Sequence, residues 1–333
     1  MNGSEGPSML RLRAYAKINV ALAVGPPEAP GSARPGWHRI ASWMVGVALH
    51  DTLELERLAP GEASRHEIAW ADDAPRPTPI DWPVERDLSV RAHRLLEAHA
   101  GRELPVAMRL RKRTPVGAGL GGGSSDCAAA LRGINALWSL GLSEGGLIAL
   151  STKLGSDVAF FLRTRAGSGA GSGAVGVGSD EPRPALVTGF GEVLSDAPGL
   201  TARGNGAGAG AANGSMALTI FMPTFGCPTA EVYRALDANP PAGLREAAVR
   251  ALIERAEDGE FGAGAGVFND LEAPACAVRP ELGRVLADLR AQPGPRALLT
   301  GSGSAVFTLG RASAEQRTAA RAHGASIIDT HAV

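Results

Sequence analysis

Pro115-Val116-Gly117-Ala118-Gly119-Leu120-Gly121-Gly122-Gly123-Ser124-Ser125-Asp126, followed by the run from Cys127 to Trp138, decides how this chain is read. The front half is a glycine loop. The rear half places Cys127, Leu131, Ile134 and Trp138 on one apolar stripe of a helix. Residues 104–111, just before it, alternate as a strand does. A helix that opens from such a loop offers unpaired N–H groups and the positive end of its dipole. Glycines let the backbone come close to an anion, so the junction suits phosphate. No Gly-Lys-Ser/Thr follows, which excludes a Walker loop. No acidic residue ends a second strand about 20 residues on, which excludes the dinucleotide fingerprint. The plain alternative is a flexible turn with Ser124, Ser125 or Asp126 capping the helix. Five glycines followed by two serines favour phosphate.

Three further stretches carry polar groups in apolar surroundings. In Leu154-Gly155-Ser156-Asp157-Val158-Ala159-Phe160-Phe161-Leu162 a single carboxylate stands in an apolar segment. Burying it requires a cation or several donors; a helix cap or a structural ion pair is the alternative. In Ala14-Tyr15-Ala16-Lys17-Ile18-Asn19-Val20, Tyr15, Lys17 and Asn19 share one face of a strand, and a solvated sheet edge would explain them equally well. Leu299-Thr300-Gly301-Ser302-Gly303-Ser304-Ala305-Val306-Phe307 reads as a turn between two strands, able to close with the first loop over a phosphate chain.

The remaining pattern predicts a strand, or two joined by a kink, over 9–24, a turn over 25–36 and a strand over 45–58. A proline-rich loop is expected over 59–86, then a helix capped by Asp87. A short helix carries Leu147, Leu150 and Leu154, and 184–194 reads as one strand. After residue 216 come the strand Ala217–Met222, helices over 229–238, 243–257 and 279–291, strands at 297–300 and 305–309, and a helix over 314–323. Gly-rich stretches at 164–183 and 201–215 look like mobile loop expansions.

The 333 residues suit one large domain or two ordinary ones, and a net charge of -1 argues against a general nucleic-acid binder. No apolar run reaches the ~18 residues of a membrane span, and the first residues do not read as a signal peptide. The three cysteines, Cys127, Cys227 and Cys276, are too scattered for a disulfide framework or a thiolate zinc site. A soluble protein of the cytoplasm is expected. Only three of the thirty-three basic residues are lysines, Lys17, Lys112 and Lys153, and a compact ammonium is not interchangeable with a guanidinium.

AKIN (16–19), GWHRI (36–40), PVGAGLGGGSSD (115–126), LGSDVAFF (154–161), FNDLE (268–272) and TGSGSAVF (300–307), in this order, resemble the galactokinase, homoserine kinase, mevalonate kinase and phosphomevalonate kinase (GHMP) superfamily. Within it they are similar to the kinases of a cytidine diphosphate-linked methylerythritol. The resemblance implies an α+β fold of two domains. Residues 1–165 would be a ribosomal-protein-S5-like ATP-binding domain, and 166–333 a ferredoxin-like domain on the substrate side. It implies Lys17 and Asp157 as the catalytic pair and residues Pro115 to Ser125 around the phosphates of ATP. Ser125 would also hold Mg²⁺, and Asn19, Trp37, His38 and Tyr233 would bind a small cytidyl substrate, with the base between two rings. No nucleic-acid or membrane partner is implied, and a monomer or homodimer suffices. Three positions depart from the family pattern: Trp37 stands for Tyr, Asp87 for Asn and Ala159 for Pro. A kinase of another small alcohol and an inactive nucleotide-binding relative are the alternatives.

Overall fold

A computed structural model describes residues 8–165, 180–200, 214–259, 261 and 266–333. Most of the two Gly-rich stretches, 166–179 and 201–213, lies outside the described residues. The chain forms two compact units. The described residues of the first fall in Met1–Ala16, Leu49–Thr114 and Gly121–Arg183; those of the second fall in Lys17–Ala48, Pro115–Leu120 and Pro184–Val333. The chain passes between units inside two strands, β1 (Met9–Pro27) and β2 (His38–Arg57).

In the first unit, β2 pairs over Thr52–Arg57 with β4 (Val106–Lys112), antiparallel, and β4 pairs in parallel with β3 (Arg65–Trp70). β3 falls where only loop was expected. Its residues are exposed or half-buried, and Glu67 reaches Arg111 on β4 at 2.8 Å, so the strand is held by pairing rather than by an apolar face. Helix α1 (Leu88–Ala100) joins β3 to β4. Asp87 caps it as expected, accepting from the backbone of Ser89 at 2.9 Å, and Gly101 ends it in the left-handed region. It packs on α2 (Gly122–Leu137), which also meets the short helices α3 (Glu144–Ser151) and α4 (Val158–Leu162).

In the second unit, β2 pairs over Ile40–Met44 with β5 (Ala185–Gly189), and β5 with β6 (Val193–Asp196). The single strand expected at 184–194 is therefore a hairpin, turned at Gly189 and Gly191, both at positive φ. Beyond it, β7 (Ala217–Met222) lies between β9 (Val306–Leu309) and β10 (Ser326–His331), and β8 (Ala297–Leu299) completes an antiparallel sheet of four. Its helices are α5 (Thr229–Asp237), α6 (Glu246–Glu257), α7 (Glu272–Val278), α8 (Pro280–Ala291) and α9 (Ala314–Ala322). Leu218, Ile220, Phe221 and Phe307 of this sheet are fully buried. The mixed α+β class is the one expected. Among the described residues, no helix is long and apolar enough to cross a membrane.

Packing of α2 on the sheet of the first unit depends on Gly133. A Cβ there would lie 2.4 Å from Leu55 Cδ1 and 3.0 Å from Leu12 Cδ1. Gly133→Val should therefore cost about 2 kcal/mol or more despite its better helix propensity, because overpacking costs ~1–3 kcal/mol and propensity returns only a few tenths. Urea unfolding measures this, and an unchanged midpoint would refute the packing.

Candidate functional site

Tyr15, Lys17 and Asn19 alternate along β1, and all three are buried rather than lying at a solvated edge. A lysine buried here needs acceptors. In the second unit its ammonium donates to Asn19 Oδ1 at 2.6 Å and to the Gly119 carbonyl at 2.9 Å. Asn19 is itself fixed on each side. Its Nδ2 donates to Ser42 Oγ at 2.8 Å, and its backbone N–H donates to Thr300 Oγ1 at 2.9 Å. Asn269 Nδ2 donates to the carbonyls of Leu299 and Gly301 at 3.0 and 2.8 Å. Parts of four of the stretches quoted above thus meet in the second unit: 17–19, 115–120, 268–272 and 300–307.

The two glycine-rich turns touch directly. Ala305 N–H donates to the Ala118 carbonyl at 3.0 Å. Gly119 has a φ of +78°, and a Cβ there would lie 2.4 Å from the Thr300 carbonyl oxygen. Only glycine fits both conditions. Thr300, Ser42 and Asn269 received no role from sequence reasoning, although Thr300 and Asn269 lie in quoted stretches.

The rear of the loop belongs to the first unit. Gly121 is the helix cap, in the left-handed region, and α2 begins at Gly122. Neither serine nor Asp126 is the cap. Ser125 N–H already bonds to the Gly121 carbonyl at 2.9 Å, and its side chain is buried. The helix start leaves the N–H groups of Gly122, Gly123 and Ser124 facing outward from the ladder. Among the described residues no group of three or more His, Cys, Asp or Glu could hold a metal ion.

Asp157 immediately precedes α4 in the first unit. It is half-buried, while Val158 to Leu162 behind it are buried. It is therefore not sealed in an apolar segment. It also stands at the helix cap position without a side-chain capping bond, and Ser156 Oγ is 3.5 Å from its Oδ1.

His38 opens β2 and is buried. Its Nδ1 donates to the Gly25 carbonyl at 2.8 Å, and its Nε2 is 3.2 Å from Asp237 Oδ1. One ring nitrogen is thus spent inside the protein. Tyr233 lies against His38 with ring centroids 5.1 Å apart. Trp37, the neighbouring residue, is 54% exposed. It stands edge-on to Phe190 at 6.0 Å, with the Arg34 guanidinium 5.1 Å from the Trp37 ring and 4.7 Å from the Phe190 ring. Phe190 sits in the β5–β6 turn. Sequence reasoning missed it, and its one available signal was an aromatic between two glycines.

The GHMP kinases N terminal domain family matches residues 87–165. A 4-diphosphocytidyl-2-C-methyl-D-erythritol kinase of Moorella thermoacetica is 34% identical over 302 residues, 90% of this chain and 89% of that protein. A crystal structure of 4-(cytidine 5'-diphospho)-2C-methyl-D-erythritol kinase is similar with a TM-score of 0.67 at 29% identity, covering 97% of this chain and 99% of that one. Homoserine kinase from Cytophaga hutchinsonii has the same fold, with a TM-score of 0.63 at 15% identity, over 100% of this chain and 97% of that one.

Thr300 is buried and its hydroxyl serves Asn19 twice, accepting from the backbone N–H and lying 3.3 Å from Oδ1. Thr300→Val keeps the shape and removes both bonds. It should cost about 1–3 kcal/mol in urea unfolding, because a buried N–H loses its partner. A loss below about 0.5 kcal/mol would show that this bond does not hold the site together.

Proposed function

The chain belongs to the 4-diphosphocytidyl-2-C-methyl-D-erythritol kinase family and is an ATP-dependent kinase of the methylerythritol phosphate route to isoprenoids, and we propose that it transfers the γ-phosphoryl group of ATP to the 2-hydroxyl of that substrate. The observation that carries this reading is the node at Lys17, where the ammonium bonds to the carbonyl of Gly119 in the glycine loop. Phosphoryl transfer is mostly positioning and charge stabilisation, and the node puts a cation on the loop suited to phosphates.

In this reading Pro115 to Ser125 wrap the phosphates, helped by the N–H groups at the start of α2. Lys17 steadies charge on the attacking oxygen and the transferred group. Asp157 accepts the proton of the 2-hydroxyl. The Ser125 hydroxyl would hold Mg²⁺, which would neutralise phosphate charge when bound. Both ends of the Asn19 amide are engaged within the protein, so its first task is to aim Lys17. The exposed ring of Trp37, with half-buried Phe190 edge-on to it, offers a surface on which a base can stack. Tyr233 backs His38, whose Nε2 reads the base edge. Residues 1–165 carry the ATP side and 166–333 the substrate side, apart from the base-reading residues of β2. A cytoplasmic monomer or homodimer suits this reading, and no nucleic acid takes part.

The direct test follows ADP release from ATP and Mg²⁺ with the cytidyl substrate, then with homoserine or mevalonate. Release with another alcohol but not with the cytidyl substrate overturns the assignment, as does no release at all. Asp157→Asn should bind ATP normally while kcat falls about 100-fold or more, since a positioned base is worth ~10²–10⁴. Near-normal kcat would return Asp157 to a structural role. His38→Ala should raise KM for the cytidyl substrate about tenfold or more and leave KM for ATP unchanged, the loss of one hydrogen bond in a buried site. Equal KM values in the two proteins would remove His38 from the base site.

A further inference from the structure

Lys112 has no part in the chemistry above, yet its ammonium is buried. Nζ lies 2.8 Å from Asp51 Oδ2 and 2.5 Å from Asp126 Oδ2, and both carboxylates are also buried. The three groups come from three elements of the first unit: Asp51 from β2, Lys112 from the end of β4 and Asp126 from α2. The register that pairs Thr52 with Arg111 brings Asp51 opposite Lys112 at its next step.

The cluster sits where the glycine loop begins and ends. Asp51 Oδ1 accepts from the backbone N–H groups of Arg113 and Thr114, at 2.5 and 2.6 Å, the first two residues after β4. At the far end, a Cβ on Gly122 would lie 2.7 Å from Thr114 Cγ2. The Thr114 methyl is therefore seated directly on the first residue of α2.

Two carboxylates around one ammonium are a poor choice for stability alone. Like charges oppose each other in a buried site, and apolar packing often does as well as a buried ion pair. Asp126 Oδ1 has no hydrogen-bond partner among the described residues. Burial, with Asp51 adding to it and Lys112 opposing, holds the Asp126 carboxyl well above the ordinary carboxylate range. An apolar cluster could fill this space. It could not accept two N–H groups from the loop and tie strand to helix in the same few ångströms.

We propose that Lys112, acting with Asp51 and Asp126, is a positioning residue that fixes both ends of the glycine loop and so sets how its N–H groups meet the triphosphate of ATP. The inference rests on the reading of residues 115–125 as the ATP site. Groups that hold a ligand must be kept in place by the residues behind them, so small displacements have large effects on its binding.

Two variants test it. Lys112→Met removes the cation. Asp126→Asn keeps the shape and removes one charge, and it covers the case in which the first variant does not fold. Both should raise the Kd for ATP in calorimetry and the KM for ATP about tenfold or more, leaving kcat at saturating ATP within about threefold and KM for the cytidyl substrate within about twofold. A purely structural cluster would lower the melting temperature and the active fraction but leave KM for ATP unmoved. Variants that bind ATP as well as a wild type that binds it overturn this proposal alone. A wild type that binds no ATP overturns both it and the reading of the loop. Failure of both variants to fold also counts against it and assigns the cluster to the fold.

Discussion

The ammonium of Lys112 can be buried only because two carboxylates are buried with it. Breaking such a pair by removing one partner costs ~3–5 kcal/mol. A whole domain is stable by only ~5–15 kcal/mol. Losing one partner would therefore remove a substantial share of the first unit's stability by leaving a charge buried and unpaired, and the cluster restricts the local geometry. β2 and β4 must pair in the register that sets Asp51 opposite Lys112, and α2 must start close enough for Asp126 to reach. The route of the chain out of β4 follows, because Asp51 also takes the N–H groups of Arg113 and Thr114.

Close backbone contact is the second constraint, and it acts at separate points for separate reasons. Gly119 is glycine because the Thr300 carbonyl is too near for a Cβ and because its φ is positive. Gly122 is glycine because the side chain of Thr114 lies against it. The run of glycines is thus a set of individual contacts, some inside the second unit and some inside the first. This explains why the loop is ordered although its composition suggests flexibility. A lysine whose ammonium bonds to the carbonyl of one of these glycines inherits that order: Lys17 is aimed by a strand and an amide, not by a free loop.

Elements with a strong apolar period or a cap were legible in the sequence: α1 behind Asp87, the stripe of α2, and β7, apolar but for Thr219. β3 was hidden because its residues, Arg65 to Trp70, are exposed or half-buried and it is held by pairing with β4. α7 was hidden because it is short and contains Pro274, and β10 because Ser326 to His331 is a mostly half-buried edge of its sheet. Of the candidate site, Lys17, Asn19 and the glycine loop carried their own pattern. The Lys112 cluster did not, since its three members become neighbours only through strand register. Trp37 and His38 show the same limit. They are adjacent in sequence, but one lies against Phe190 and the other against Tyr233, as expected once residue 38 opens a strand and successive side chains take opposite faces. No pattern linked Phe190 to either.

The bond from His38 Nδ1 to the Gly25 carbonyl has a consequence for how the proposed base site chooses its base. A carbonyl only accepts, so Nδ1 carries a proton, and Nε2 is the ring nitrogen that lies beside Asp237. Asp237, 3.2 Å away, places negative potential at that point, although solvent screens it because its side chain is 40% exposed. That potential favours a donor. The exocyclic amino group of cytosine is one, whereas uracil presents a carbonyl oxygen at the corresponding position. In the proposed site, discrimination would come from a carboxylate beside one ring nitrogen, not from a matched donor and acceptor on the same ring. The Gly25 carbonyl, which touches no ligand in this scheme, would then bear on the choice of base as much as the imidazole does, because it engages Nδ1 and leaves Nε2 as the nitrogen turned to Asp237.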